Sequence, residues 1–102
     1  MLTIEPGTTP EITVEMPVDV STLAVAYVTF VQGGNTVIEK SLQQVTYVDK
    51  HLMISLTQEE TLKLTEQTMG EWQIRFRTTS DQVMNTIIMP FTVGRVLKKG
   101  VI

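Results

Sequence analysis

The residues able to do chemistry are few in this chain, and they are badly spaced for it. Its only histidine, His51, follows Lys50, with Asp49 and Ser55 close by in sequence, so a base, an acid and a hydroxyl nucleophile occur in one short stretch. A hydrolytic triad is defined by roles in three dimensions, and a histidine in a charged turn reads instead as a solvated polar residue. Glu59 and Glu60 form a carboxylate pair, but neighbours on a helix point about 100° apart and do not converge on one bond or one metal. The six methionines (Met1, Met16, Met53, Met69, Met84 and Met89) lack the short spacing of a soft-metal site and suit core filling. Gly33-Gly34 has neither the lysine nor the following helix of a phosphate loop. With no cysteine in the chain, disulfides and thiolate metal sites are excluded. The sequence therefore offers no catalytic, cofactor-binding or metal-ligating residue, and an enzyme is not expected.

Composition sets the class of protein that must position what remains. The 102 residues suit a single domain spanning 1–102, with 94–102 as a C-terminal tail, and 42% hydrophobic content argues against disorder. No apolar run approaches the roughly 20 residues of a membrane-spanning helix, so no membrane is expected as a partner. A net charge of −3 disfavours nucleic acid, because neutralising phosphates takes clustered basic residues. The N-terminus carries acidic residues and an early Pro-Gly where a secretory leader needs a basic start and an apolar stretch, so retention in the cytoplasm is expected. Charge is also polarised: Glu5, Glu11, Glu15, Asp19 and Glu39 precede the first basic residue, Lys40, whereas Arg95, Lys98 and Lys99 crowd the other end.

The elements follow from period-2 alternation and turn chemistry. Thr3–Glu5 makes a short strand stopped by Pro6-Gly7, and Ile12–Met16 alternates apolar with polar. Leu23–Val31 is apolar on both faces: Leu23, Val25, Tyr27 and Val31 on one, Ala24, Ala26, Val28 and Phe30 on the other, which predicts burial on both. Gln32-Gly33-Gly34-Asn35 predicts a hairpin to Thr36–Lys40, because Gly and Asn take positive φ cheaply. Strands follow over Gln44–Val48 and Leu52–Leu56, and Thr57-Gln58-Glu59-Glu60 fits a capping box that starts a helix of about two turns, Gln58–Leu64. Beyond Gly70, Trp72, Ile74 and Phe76 face one way and Glu71, Gln73, Arg75 and Arg77 the other; Leu52–Leu56 is the expected partner of this strand. After a turn at Thr79–Gln82, Val83–Val93 is the last strand, with Val83, Ile87, Met89, Phe91 and Val93 on one face and Pro90 marking an edge or a bulge. Turn signals at this spacing predict an all-β, antiparallel sandwich of about seven strands with one short helix. The aromatics lie within strands and are expected to fill the core.

Gly70-Glu71-Trp72-Gln73-Ile74 is similar to the region before the penultimate strand of immunoglobulin-like sandwiches, with Trp72 where a tyrosine is usual. The stretches LTQEETLKL (Leu56–Leu64), GEWQIRF (Gly70–Phe76) and VLKKGVI (Val96–Ile102) resemble small tail-region structural proteins of phages and prophages of Gram-positive bacteria, and PGTTP with the strand after it resembles the start of upper baseplate modules. The resemblance implies an immunoglobulin-like fold and a non-enzymatic virion component. Such a component is assembled in the host cytoplasm with copies of itself or with neighbouring tail proteins. A free-standing immunoglobulin-like module that recognises a host-surface protein or glycan is the alternative. A further expectation is self-association, with Gly94–Ile102 docking on the acidic N-terminal surface or on the apolar Leu23–Val31 strand of another copy. Docking of this tail within its own chain is the competing possibility.

Overall fold

A computed structural model describes residues 1–102 and shows two sheets packed face to face. Nine strands form: β1 (Leu2–Ile4), β2 (Glu11–Glu15), β3 (Leu23–Gln32), β4 (Asn35–Ser41), β5 (Thr46–Val48), β6 (His51–Ser55), β7 (Met69–Thr78), β8 (Val83–Asn85) and β9 (Met89–Val93). The larger sheet runs β1-β9-β7-β3-β4, with β8 also on β7, and the smaller runs β2-β6-β5. Every pairing is antiparallel except β1 with β9, which is parallel. The excess over seven strands comes from β1 and β8, each only three residues long.

The core lies between the sheets, built from Ala26, Val28 and Phe30 of β3, Trp72, Ile74 and Phe76 of β7, Phe91 and Val93 of β9, and Ile12, Leu52 and Ile54 of the smaller sheet. Phe30 stacks on Trp72 with ring centroids 5.5 Å apart and meets Phe91 edge-on at 5.8 Å. Both are arrangements that the ring quadrupoles favour.

Several local expectations hold. Gly33 and Gly34 both have positive φ in the β3–β4 turn, which brings β4 back antiparallel. The Thr57 hydroxyl accepts from the Glu60 amide at 3.2 Å, and the Glu60 carboxylate accepts from the Thr57 amide at 2.9 Å. The helix that they cap, α1 (Gln58–Leu62), is two residues shorter at its end than expected, although Leu64 is still buried.

Four expectations are corrected. Leu52–Leu56 does not pair with the Trp72 strand; β6 lies between β2 and β5 in the smaller sheet, and α1 carries the chain across to β7. Leu23–Val31 is not buried on both faces: Ala26, Val28 and Phe30 are the core face, whereas Tyr27 on the opposite face is 46% exposed. Val83–Val93 is not continuous. Asn85 is level with Arg75 and Met89 with Trp72, so Thr86, Ile87 and Ile88 occupy the space opposite two residues, Gln73 and Ile74. This extra residue is a bulge, and it reverses the alternation. Val83 and Ile87 therefore point away from the core that Met89, Phe91 and Val93 join. Gln44–Val48 also shortens to β5, because Leu42–Gln44 forms a 3₁₀ turn in which the Gln44 side-chain oxygen accepts from the Ser41 amide and hydroxyl.

Candidate interaction face

The residues with chemical potential are dispersed. His51 opens β6 opposite Glu15 of β2, and Ser55, on the same strand face, is four residues away, about 13 Å at roughly 3.4 Å per residue. Asp49 occupies a positive-φ turn position before them. Glu59 is exposed, whereas Glu60 serves the helix cap and binds the Lys40 ammonium at 2.7 Å. Burial works against the Glu60 charge, but the Lys40 contact and the Thr57 amide outweigh it and hold the carboxyl below its ordinary range. No three His, Asp or Glu side chains converge.

Buried polar groups hold connections together instead. Gln32, at the end of β3, accepts from the Thr65 amide at 2.8 Å and donates to the Thr65 and Thr68 carbonyls, tying the α1–β7 loop to the larger sheet. Thr61, fully buried on α1, accepts from the Gly7 amide and donates to the Thr8 carbonyl, fixing the turn after β1. Lys40 reaches from the inner side of β4 to α1. Sequence reasoning missed all three as structural ties, although for Gln32 and Lys40 a signal existed. The available signal was parity: Gln32 follows Phe30 by two, and Lys40 follows Ile38 by two, so both must point inward. Trp72 makes no side-chain polar contact: its buried indole N–H has no acceptor in the chain.

The tail is tied within its own chain. Ile102 donates its amide to the Gln58 side chain at 2.9 Å and accepts from it through its carbonyl, and Lys99 pairs with Glu66 at 2.6 Å. The Lys99 contact, with lesser help from the Val96 amide and Arg95, lowers the Glu66 pKa. Within the chain the tail contacts α1 and the loop after it, and not the acidic N-terminal strands, while Leu97, Val101 and Ile102 stay exposed.

Besides Tyr47 and Val48 of β5 and the apolar side chains of the tail, the surface left unpartnered is the outer face of the larger sheet. Val25, Tyr27, Thr29 and Val31 of β3 lie beside Arg77, Arg75, Gln73 and Glu71 of β7, level by level. Val83 and Asn85 of β8 continue the first two levels outward. The bulge lays Ile88 over this surface, where it joins Thr29, Val31, Glu71, Trp72 and Gln73 in lining a shallow cleft of about 140 Å³. The bulge is fixed by Thr86, whose hydroxyl accepts from the Ile74 amide and whose carbonyl accepts from Gln73. Arg77 is paired with Asp81, while Arg75 and Glu71 have no ionic partner in the chain.

No protein-family model matches this chain, and no curated protein matches it. Among solved structures it is similar to the extracellular domain of mouse leukocyte-associated immunoglobulin-like receptor 1, solved as a strand-swapped dimer. The two are 15% identical, with a TM-score of 0.51, over 92% of this chain and 87% of the other. The V domain of amphioxus IgVJ-C2 aligns at 8% identity with a TM-score of 0.39, covering 92% of this chain and all of the other. The fold is an all-β immunoglobulin-like sandwich. No helix is long and apolar enough to cross a membrane.

Proposed function

We propose that the chain is a non-enzymatic structural component of a phage or prophage tail or baseplate, acting through protein–protein contacts made by the outer face of the larger sheet. The observation that carries this reading is the division of labour among its polar residues. Of those that are buried, Gln32, Lys40 and Thr61 fasten α1 and its loops to the sheets and Thr78 closes the turn after β7, and the face left free is a sheet surface with an apolar centre and unpaired charges. Surfaces of that composition, aromatic and arginine among small and apolar residues, suit protein contacts. The resemblance of Leu56–Leu64, Gly70–Phe76 and Val96–Ile102 to tail-region proteins supplies the setting. A receptor-binding module working through its loops is less well supported, since all six aromatic residues lie in strands and none on a loop. Mass spectrometry of tail particles purified from an induced lysogen carrying this gene tests the reading. A fixed copy number in the particles, and defective particles when the gene is deleted, are the expected results. Complete particles lacking the protein would sink it.

A further inference from the structure

The geometry points to a second copy of this chain as the occupant of that face, paired across a two-fold axis that lies in the interface and runs across the strands at the level of Thr29 and Gln73. The inference rests on the reading of this face as the contact surface, and it adds the partner. Two independent features of the face favour this pairing, against one like-charge contact at its edge: Glu39 of β4 is level with Thr29 on the same face and meets its own counterpart on the axis.

The first is charge. On β7, Glu71 lies two residues to one side of Gln73 and Arg75 two residues to the other, both exposed and both without an ionic partner in the chain. A rotation that turns one face onto another and reverses the strand direction keeps each strand over its own copy. It brings Arg75 over the partner's Glu71, and Glu71 over the partner's Arg75. An isologous interface makes each contact twice, so a single complementary pair closes both ends.

The second feature is shape. On β3, Tyr27 lies two residues from Thr29 on one side and Val31 two residues from it on the other. The same rotation sets the Tyr27 ring, a raised side chain 46% exposed, over the partner's Val31. That is the wall of the cleft formed by Thr29, Val31, Glu71, Gln73 and Ile88. A tyrosine entering a cleft two levels away on its twin is the arrangement expected of an anchor residue at the centre of an interface. Ile88, opposite Gln73 through the bulge, falls close to the axis and meets its own counterpart, which gives its 58% exposure a use. The face is free to pair in this way because the tail is held elsewhere, on Gln58 and Glu66.

Sedimentation equilibrium of the full chain, followed into the millimolar range, should show a reversible dimer. Arg75→Glu and Glu71→Arg should each raise the dissociation constant roughly tenfold or more, because each places like charges opposite one another at both ends. Mixing these two single variants should restore association as a one-to-one heterodimer, since positions 71 and 75 then carry opposite charges at both ends, and the double variant should dimerise with itself. Tyr27→Ala, which adds no charge, should weaken the dimer as well. All these positions are exposed, so each variant should unfold at the same urea concentration as the parent, and Tyr27→Ala still tests the interface if a charge variant fails to fold. A chain that stays monomeric throughout, single variants that dimerise like the parent, or a mixture that does not recover association would each overturn the inference. A monomeric chain that is nonetheless present in tail particles would overturn self-association alone and leave the proposed function standing.

Discussion

Gly70→Ala is the sharpest test of how the larger sheet is assembled. Gly70 is the second residue of β7, opposite Phe91, and its φ is not among the positive ones, so alanine fits the backbone conformation. On backbone entropy alone the substitution would stabilise by about 0.4–1 kcal/mol. The surroundings reverse the sign. A methyl group there would overlap the edge of the Phe91 ring and sit 2.6 Å from the Val31 carbonyl oxygen. Phe91 is fully buried and packed edge-on against Phe30, and Val31 is paired on both sides within the sheet, so neither can yield locally. Overpacking of this kind costs about 1–3 kcal/mol, occasionally more. A net loss of about 2 kcal/mol follows, seen as a fall in Tm of roughly 10 °C for a domain of this size. Urea denaturation read by fluorescence measures it directly, because Trp72 is the only tryptophan and is buried two residues away. Gly94→Ala is the control: the nearest atoms to its methyl would be those of the exposed Glu5 carboxylate, which can swing aside, and stability should stay within about 0.5 kcal/mol. A Gly70→Ala protein as stable as the parent would refute the close approach of β9 to β7.

Trp72→Ala should cost about 3–5 kcal/mol by emptying the centre of the core. Trp72→Phe should stay within about 1.5 kcal/mol of the parent, because it keeps the ring on Phe30 and removes an indole N–H that has no acceptor; a loss as large as that of alanine would mean that the N–H is satisfied. Gln32→Leu should cost about 2–3 kcal/mol in a urea melt by stranding the Thr65 and Thr68 backbone groups, and an unchanged midpoint would show that the α1–β7 loop does not depend on it. Glu60 has a lowered folded-state pKa, so the stability it adds is fully present above its unfolded value of 4.5 and lost as pH falls through the folded value. In Glu60→Gln that part of the acid limb should be missing from the pH dependence of unfolding, while an identical acid limb would place the titration elsewhere. Deleting Val96–Ile102 should leave the oligomeric state unchanged, since the tail binds its own Gln58 and Glu66; conversion of a dimer to a monomer on truncation, seen by light scattering, would contradict this.

Most elements were legible in the sequence because the signals that define them are local. The Thr57–Glu60 capping box, the Gly33-Gly34 turn and the alternation of β7 each depend on side chains within a few residues of one another, and each formed as expected. Pairing was less legible. Leu52–Leu56 and Gly70–Phe76 are neighbours in sequence, and a short connection favours a hairpin, but α1 is wide enough to carry the chain from one sheet to the other. The bulge was hidden for a related reason. Val83, Ile87, Met89, Phe91 and Val93 occupy odd positions and are apolar, so the pattern fits an unbroken strand. Only the pairing of Asn85 with Arg75 and of Met89 with Trp72 exposes the additional residue. Pro90 was a true signal read at the wrong place: it lies just outside the β1 ladder, where its missing N–H costs nothing, and the break is three residues earlier.

The free face was the hardest feature to read, although the information was present in two separate strands. Apolar residues on both sides of β3 give no periodic contrast, so β3 alone cannot say which side is core. β7 can, because Glu71, Gln73, Arg75 and Arg77 mark its wet side without ambiguity. Cross-strand neighbours share a face, so the register of Phe30 with Trp72 and of Tyr27 with Arg75 passes that assignment to β3. Once transferred, it turns an apparent excess of apolar residues into a distinct feature. Val25, Tyr27 and Val31 are not surplus core but an apolar stripe on the outer surface, flanked by charges on β7 and overhung by Ile88. A strand facing only water has no need of that stripe, and it is the stripe, more than any one residue, that calls for a second surface laid against it.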